Sequence, residues 1–215
     1  MIENKSKNIY VEKDVVIGKN VKLFENVHLL GKTIIGDGST VYPNTIISDS
    51  IIGKSCVIKN SVVEESELGD GVSVGPFAHI RPNSKIENDC RIGNFVEIKA
   101  SHIGTKTKVS HLAYVGDAEV GANCNVGCGV IFVNYNGQTK SQIIVGDNCF
   151  IGSNSNIIAP VTIASGTYIC AGTTLTKNTK EDDFVIARAR ETIKENRAHR
   201  YLKRWQWGLF LERME

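Results

Sequence analysis

The chain has 215 residues, a formal charge of +2 and 41% hydrophobic side chains, enough apolar content for one large packed core or two small ones. That charge is too near neutral for a nucleic-acid binder, which needs a concentrated basic patch, although a small anionic ligand needs only a few local charges. The 20 glycines, the abundant valine and isoleucine and only 7% aromatics favour short strands and tight turns over helices.

The first 14 residues, MIENKSKNIYVEKD, are polar and form an N-terminal cap segment. They offer no apolar stretch for a signal peptide, and no run in the chain reaches membrane-spanning length. A cytoplasmic protein with no membrane partner is expected.

From Ile17 the chain repeats every six residues: Ile17, Leu23, Leu29, Ile35, Val41 and Ile47 are all aliphatic. After a slip of one, Ile52 and Ile58 continue, followed by Val63 and Leu68. The frame locks again at Val74, Ile80, Ile86, Ile92 and Ile98, then runs through Ile103, Val109, Val115, Val120 and Val126. It resumes at Val145 and ends through Ile151, Ile157, Ile163, Ile169 and Leu175. Two places before each aliphatic stands a small or β-branched residue such as Val27, Thr33, Ser39, Cys56, Cys90 or Cys149. Residues two apart on a strand face the same side, so both positions point inward.

Neither a helix nor a heptad has this period. A hexapeptide repeat marks a parallel β-helix, each repeat forming one flat side of a triangular coil of roughly 18 residues. Residues 15–178 would make about nine coils. Glycine often follows the aliphatic, as at Gly18, Gly36 and Gly53, and asparagines recur nearby, both suited to positive φ at corners. Four of the six cysteines fall in the small inward slot, and CNVGC (124–128) has no partner pair, so neither disulfides nor a metal site is expected.

The period vanishes over residues 179–215, a C-terminal arm. ETIKENRAHRYLKRWQWGLFLERME predicts a helix with an apolar face from Tyr201, Leu202, Trp205, Leu209 and Phe210, serving as an end cap or subunit contact.

Candidate chemistry gathers where polar residues break the repeat. Arg81 and Lys99 are 18 residues apart, hence one coil apart on one side, and Tyr114 lies 15 further on. Two cations and a tyrosine on one flank suit a phosphate. His111 precedes Tyr114, Asn125 precedes Val126, and Asn134, Tyr135 and Lys140 lie in the interruption, VNYNGQTKSQ (133–142). Such an excursion cannot pack inside the prism and reaches for a neighbour or substrate, which implies an oligomer with sites between subunits.

GPFAHIRP (75–82), GNFVEIK (93–99), HLAYVGDAEVG (111–121) and NVGCGVIFVNYNGQTK (125–140) resemble the acetyltransferase domain of the bifunctional bacterial enzyme that makes UDP-N-acetylglucosamine. The resemblance implies an all-β, left-handed parallel β-helix, a homotrimer, acetyl-CoA as donor and the amine of glucosamine 1-phosphate as acceptor. It implies that Arg81, Lys99, Tyr114 and Asn125 hold the sugar phosphate and that Lys140 reaches a neighbour's. His111 would be the general base. Asn134 and Tyr135 would contact acetyl-CoA or the acceptor, and Cys128, Ser153, Ala171 and Arg188 would line the coenzyme A groove, Cys128 and Ala171 through their main chain.

A neutral histidine with an ordinary pKa of about 6.5 suits removal of a proton from an ammonium. Backbone N–H groups at 127–129 are candidates for an oxyanion site. Glu97 is a candidate to orient His111 or the amine. The chain departs from the family at Cys128, Ile143, Ala164 and the aromatic tail. It begins at the solenoid, so uridyl transfer is not expected from it. The rivals are another amino sugar as acceptor, or a silent scaffold.

Overall fold

The computed structural model describes residues 8–200, and among these the chain winds as a parallel β-helix with three flat faces. Face I carries ten strands, from Tyr10–Val11 and His28–Leu30 to Thr174–Leu175. Face II carries nine, from Val16–Ile17 to Val161–Ile163, and face III ten, from Lys22–Leu23 to Phe184–Val185. Each strand pairs in parallel with its counterparts in the neighbouring coils, as in Val63↔Ile80, Ile80↔Ile98 and Ile98↔Val115. The ladder extends a few residues beyond both limits drawn from the period. Its end strands bury one flank only, so their aliphatic signal is weak there. This winding agrees with the left-handed coil expected from the sequence.

The inward aliphatics behave as the period requires. From Leu29 to Leu175 every one is buried, while Ile17 and Leu23, in the first coil, are only partly covered. The polar members of the small slot join one coil to the next. Ser39 Oγ donates to the Gly53 carbonyl (2.9 Å) and accepts from Cys56 N–H (3.0 Å). Thr107 Oγ1 repeats the pattern with Gly121 and Cys124. A buried hydroxyl is tolerated because both its donor and acceptor roles are filled.

Corners use left-handed backbone, mostly at asparagine, aspartate and glycine. The edge between faces III and I is different: Phe77 (φ 60°), Phe95 (φ 55°) and Leu112 (φ 46°) stand there in successive coils. All three are exposed, and the two phenyl rings stack at 5.2 Å.

Beyond Val185 the arm holds no strand, and its only regular element among the described residues is a 3-10 turn at Ala198–Arg200. Residues 191–197 are exposed and not helical, so the helix expected from Glu191 does not start there. Among the described residues nothing packs against them to offset the cost of ordering a helix. The aromatic part, from Tyr201, lies outside the described residues.

Face II carries a ladder of glycines, each with the next coil's backbone against it: a Cβ at Gly36 would stand 2.5 Å from the Gly53 carbonyl carbon. One rung of that ladder is instead Glu87. Its carboxylate accepts from Thr105 N–H (3.0 Å), Thr105 Oγ1 (2.7 Å) and His102 Nε2 (2.9 Å). These bonds, first those from Thr105 and His102 side chains, hold Glu87 below the ordinary carboxylate range. A depressed folded-state pKa gives stability that is present above the unfolded value and lost as pH falls through the folded one. Glu87→Gln should therefore lower the thermal midpoint at pH 7, and the gap to the parent should close as pH falls below about 4. A gap that is constant with pH would remove the charge from the explanation.

Candidate active site

Face I positions the first group of polar residues. Inward Val63, Ile80, Ile98 and Val115 anchor four consecutive strands, so the residues flanking them project outward in two rows. One row holds His79, Glu97 and Tyr114; the other holds Glu64, Arg81, Lys99 and Gly116. Arg81, Lys99 and Tyr114 thus share one flank, as their spacing predicted.

Each cation on this flank meets a carboxylate. Arg81 Nη1 donates to Glu97 Oε1 at 2.7 Å, and this bond, ahead of any burial effect, raises the guanidinium pKa further. Lys99 Nζ lies 3.5 Å from Asp117 Oδ1, both side chains being about four-fifths buried. Below them Glu64 holds His79 Nε2 at 2.8 Å. Glu97 is therefore the partner of Arg81 on face I. It does not bond His111, one of the two roles considered for it, because His111 stands on a different strand at the border of the face.

Asp117 and Gly116 were not singled out in the sequence, and both organise this surface. Asp117 follows Lys99 by 18 residues, a signal available from the period. Its Oδ2 accepts from Asn134 Nδ2 at 2.5 Å, and the same amide nitrogen lies 3.3 Å from Tyr114 Oη. The coil from Lys99 is one residue short, so Lys99 faces Gly116 across the rung. A Cβ at Gly116 would stand 2.3 Å from Tyr114 Oη and 2.8 Å from Asn134 Nδ2. Tyr114 and Asn134 can close over this position because it carries no side chain.

Asn134 is buried at the root of the excursion. Beyond it, Tyr135 and Lys140 form an antiparallel bridge, Tyr135 Oη donates to the Gly137 carbonyl (2.7 Å), and Asn136 Oδ1 accepts from Gln138 and Thr139 N–H. The loop is a small exposed hairpin projecting from the edge between faces I and II. It re-enters at Ile143, which is fully buried in register with Ala118. The departure from the family at Ile143 is therefore a core substitution.

The second group lies on the edge between faces III and I. Gly129 N–H donates to the Leu112 carbonyl (3.0 Å), Asn154 N–H to Cys128 (2.8 Å) and Gly172 N–H to Ser153 (2.8 Å). These rungs stack His111, Cys128, Ser153 and Ala171 in one column, and Arg188 Nη1 donates to the Ala171 carbonyl (2.9 Å) at its end. Three rungs at about 4.8 Å set Ala171 about 14 Å from His111. His111 is exposed, and its ring has no hydrogen-bond or ion-pair partner among the described residues. Of the amides at 127–129, those of Gly127 and Gly129 donate to Ile151 and Leu112. They are committed to the ladder and are not oxyanion donors; only the Cys128 N–H is not so engaged.

Asn125 does not join either group. It points outward from face III, in register with Lys108 and Phe150. One chain therefore presents Lys99 and Asn125 on different faces. Clefts of about 260 and 410 Å³ lie elsewhere, on face II beside Glu87.

A family model described as bacterial transferase hexapeptide (six repeats) matches residues 14–49, 65–100 and 142–177. The chain is similar to proteins called bifunctional protein GlmU. It is 50% identical to that of Clostridium acetobutylicum over 188 residues, 87% of this chain and 41% of the relative. It is 52% identical to that of Clostridium novyi over 86% of this chain and 41% of the relative. The Geobacillus protein is 49% identical over 87% of this chain and again 41% of its own length. The chain thus spans 41% of the curated relatives it matches.

The atoms that a Cβ at Gly116 would meet are side-chain ends, which can swing away. Gly116→Ala should therefore cost the fold at most about 1 kcal/mol, a few degrees in thermal midpoint, while a crystal structure shows Tyr114 displaced and its Asn134 bond lost. A drop of 10 °C or more, by about the same conversion, would mean that backbone moves instead.

Proposed function

The chain belongs to the bacterial transferase hexapeptide family, and on that premise we propose that it transfers acetyl from acetyl-CoA to the amine of glucosamine 1-phosphate. The observation that carries the reading is the column on the edge between faces III and I. Five residues from five successive coils meet along it: His111, Cys128, Ser153 and Ala171 in register, and Arg188, whose side chain reaches back to Ala171. Four of them are those the family resemblance assigns to coenzyme A, and the fifth is its base. The residues along the line are half-buried or exposed and so open to the long arm of the coenzyme, and Arg188 at the far end suits its phosphates.

In this reading the acceptor sits over face I, between two borders. Arg81 and Lys99 bind its phosphate, and Tyr114 lies beside them. His111, whose ring has no hydrogen-bond partner among the described residues, takes a proton from the sugar ammonium. The freed nitrogen lone pair attacks the thioester carbonyl carbon to form the C–N bond of a tetrahedral intermediate; its collapse breaks the C–S bond, and the second proton shed by the nitrogen goes to the departing sulfur, so coenzyme A leaves as the thiol. The Cys128 N–H is the available donor for the developing oxyanion. The transfer needs no covalent step on a cysteine, and Cys56 and Cys90 sit in the inward slots, where burial raises Cys56 and lifts Cys90 to about 11.

Asn125 and Lys140 belong to the same site in a homotrimer, Lys140 and Tyr135 reaching over from a neighbour's hairpin. Two observations support this assembly. Asn125 and Lys99 occupy different faces of one chain. Phe77, Phe95 and Leu112 are exposed by 53%, 57% and 58% on the edge that leads to His111.

A thiol-release assay with acetyl-CoA and a panel of amino sugars tests the acceptor. Glucosamine 1-phosphate should be the preferred substrate, and equal turnover of unphosphorylated glucosamine would exclude the phosphate seat. His111→Ala should lower kcat by about 10²–10⁴, the usual worth of a general base; undiminished turnover would remove His111 from that role. Light scattering should give three times the 23.5 kDa chain mass, and a monomer mass would refute the shared site.

A further inference from the structure

We propose that Asp117 is a positioning residue that ties the phosphate-binding lysine to the root of the subunit-crossing hairpin, an inference that rests on the acetyl-transfer reading above. Asp117 sits at the corner between faces I and II with φ +50°. Four contacts leave it. Its N–H donates to the Lys99 carbonyl (3.0 Å), and its carbonyl accepts from Ile143 N–H (3.2 Å). Its two carboxylate oxygens separately take Lys99 Nζ (3.5 Å) and Asn134 Nδ2 (2.5 Å). The residue thus holds Lys99 by backbone and side chain. It also holds the hairpin at both ends, Asn134 where the chain departs and Ile143 where it returns.

Among the described residues no other side chain on face I bridges the two halves of the site. Glu97 takes Arg81 alone, and Tyr114 Oη has only the long contact to Asn134. The geometry also gives Asp117 a reason to be an aspartate. A shared carboxylate accepts from two donors on separate oxygens. With the two side chains about four-fifths buried, the pair is less screened than a surface ion pair. The ammonium is thereby held at the phosphate row, and the buried amide of Asn134 is fixed so that the hairpin leaves in one direction. Movement of the hairpin is felt at Lys99 through a single carboxylate, which links donor-side and acceptor-side binding.

Two variants separate these jobs. Asp117→Asn keeps an oxygen for Asn134 and removes the charge that holds Lys99. It should raise KM for glucosamine 1-phosphate about tenfold and change KM for acetyl-CoA by less than twofold. Asp117→Ala removes both contacts and should raise both KM values at least fivefold, with kcat falling less than either KM rises. Circular dichroism and light scattering identify a variant that has lost its fold or assembly. A second measurement does not depend on turnover: the hairpin carries Lys140, and trypsin should cut after it at least fivefold faster in Asp117→Ala than in the parent. Asp117→Asn should keep the parental cutting rate. KM values within twofold of the parent in both variants would overturn the proposal, as would a loss confined to kcat. If the parent itself does not turn over glucosamine 1-phosphate, the acetyl-transfer reading has failed. The trypsin rates then decide alone, and equal cutting of parent and Asp117→Ala overturns the anchoring role.

Discussion

The parallel backbone ladder is the constraint on which everything else depends. Each strand of two to four residues has its N–H and C=O groups filled by the coils on either side, so no coil can shift along the axis without breaking bonds in both directions. This fixes the rung spacing, and it turns the chain into columns. A residue type repeated at coil length becomes a continuous line: aliphatics inside, hydroxyls and thiols in the small inward slot, glycines along face II. A fold made of lines does not enclose a pocket. Functional groups are therefore arranged along an edge and across a face.

That arrangement explains how the candidate site is built without a loop-lined cavity. Face I is three residues wide at Tyr114–Gly116, or about 10 Å. His111 stands at one border and the hairpin leaves from the other, with Tyr114 and the cations between them. The column below His111 runs along the border toward Arg188. A long thioester lying on the edge and a compact sugar phosphate lying on the face would meet at His111, where the reacting atoms must come together. The backbone supplies this geometry, and side chains have only to decorate it.

Much of this was legible in the sequence because burial acts on every coil in the same way. An inward position tolerates only an aliphatic or a small residue, so the period survives slips of one residue, and the inward set from Leu29 to Leu175 could be listed in advance. The grouping of Arg81, Lys99 and Tyr114 follows from the same arithmetic, whereas that of Cys128, Ser153 and Ala171 came from the family resemblance. The period fails where a side chain bends off its own row. Asp117 sits at a corner and turns back to Lys99 because the coil between them is short by a residue, and Gly116 matters only through what closes over it. Asn125 lay within one coil of the site residues by number, yet its strand belongs to the adjacent face. Ile143 looked like a change beside the chemistry and is core, because the hairpin ends one residue before it.

The charges on face I bear on how a phosphate would be held. Arg81 and Lys99 are matched by Glu97 and Asp117, so the flank of one chain is oriented but close to neutral. A phosphate arriving there gains directed donors more than net attraction, and a further cation must offset its second charge. The hairpin carries a cation, Lys140, and it projects away from its own chain's prism. The edge beside His111 makes the matching demand. Phe77, Phe95 and Leu112 adopt left-handed backbone at a cost of about 1–2 kcal/mol each while leaving their side chains in solvent. A chain acting alone recovers only the stacking of Phe77 on Phe95 against that strain. A second chain packed against the edge would bury those apolar groups, and the same contact would carry a hairpin lysine to the neighbour's phosphate row. The unpaid charge and the uncovered apolar edge thus ask for one and the same neighbour.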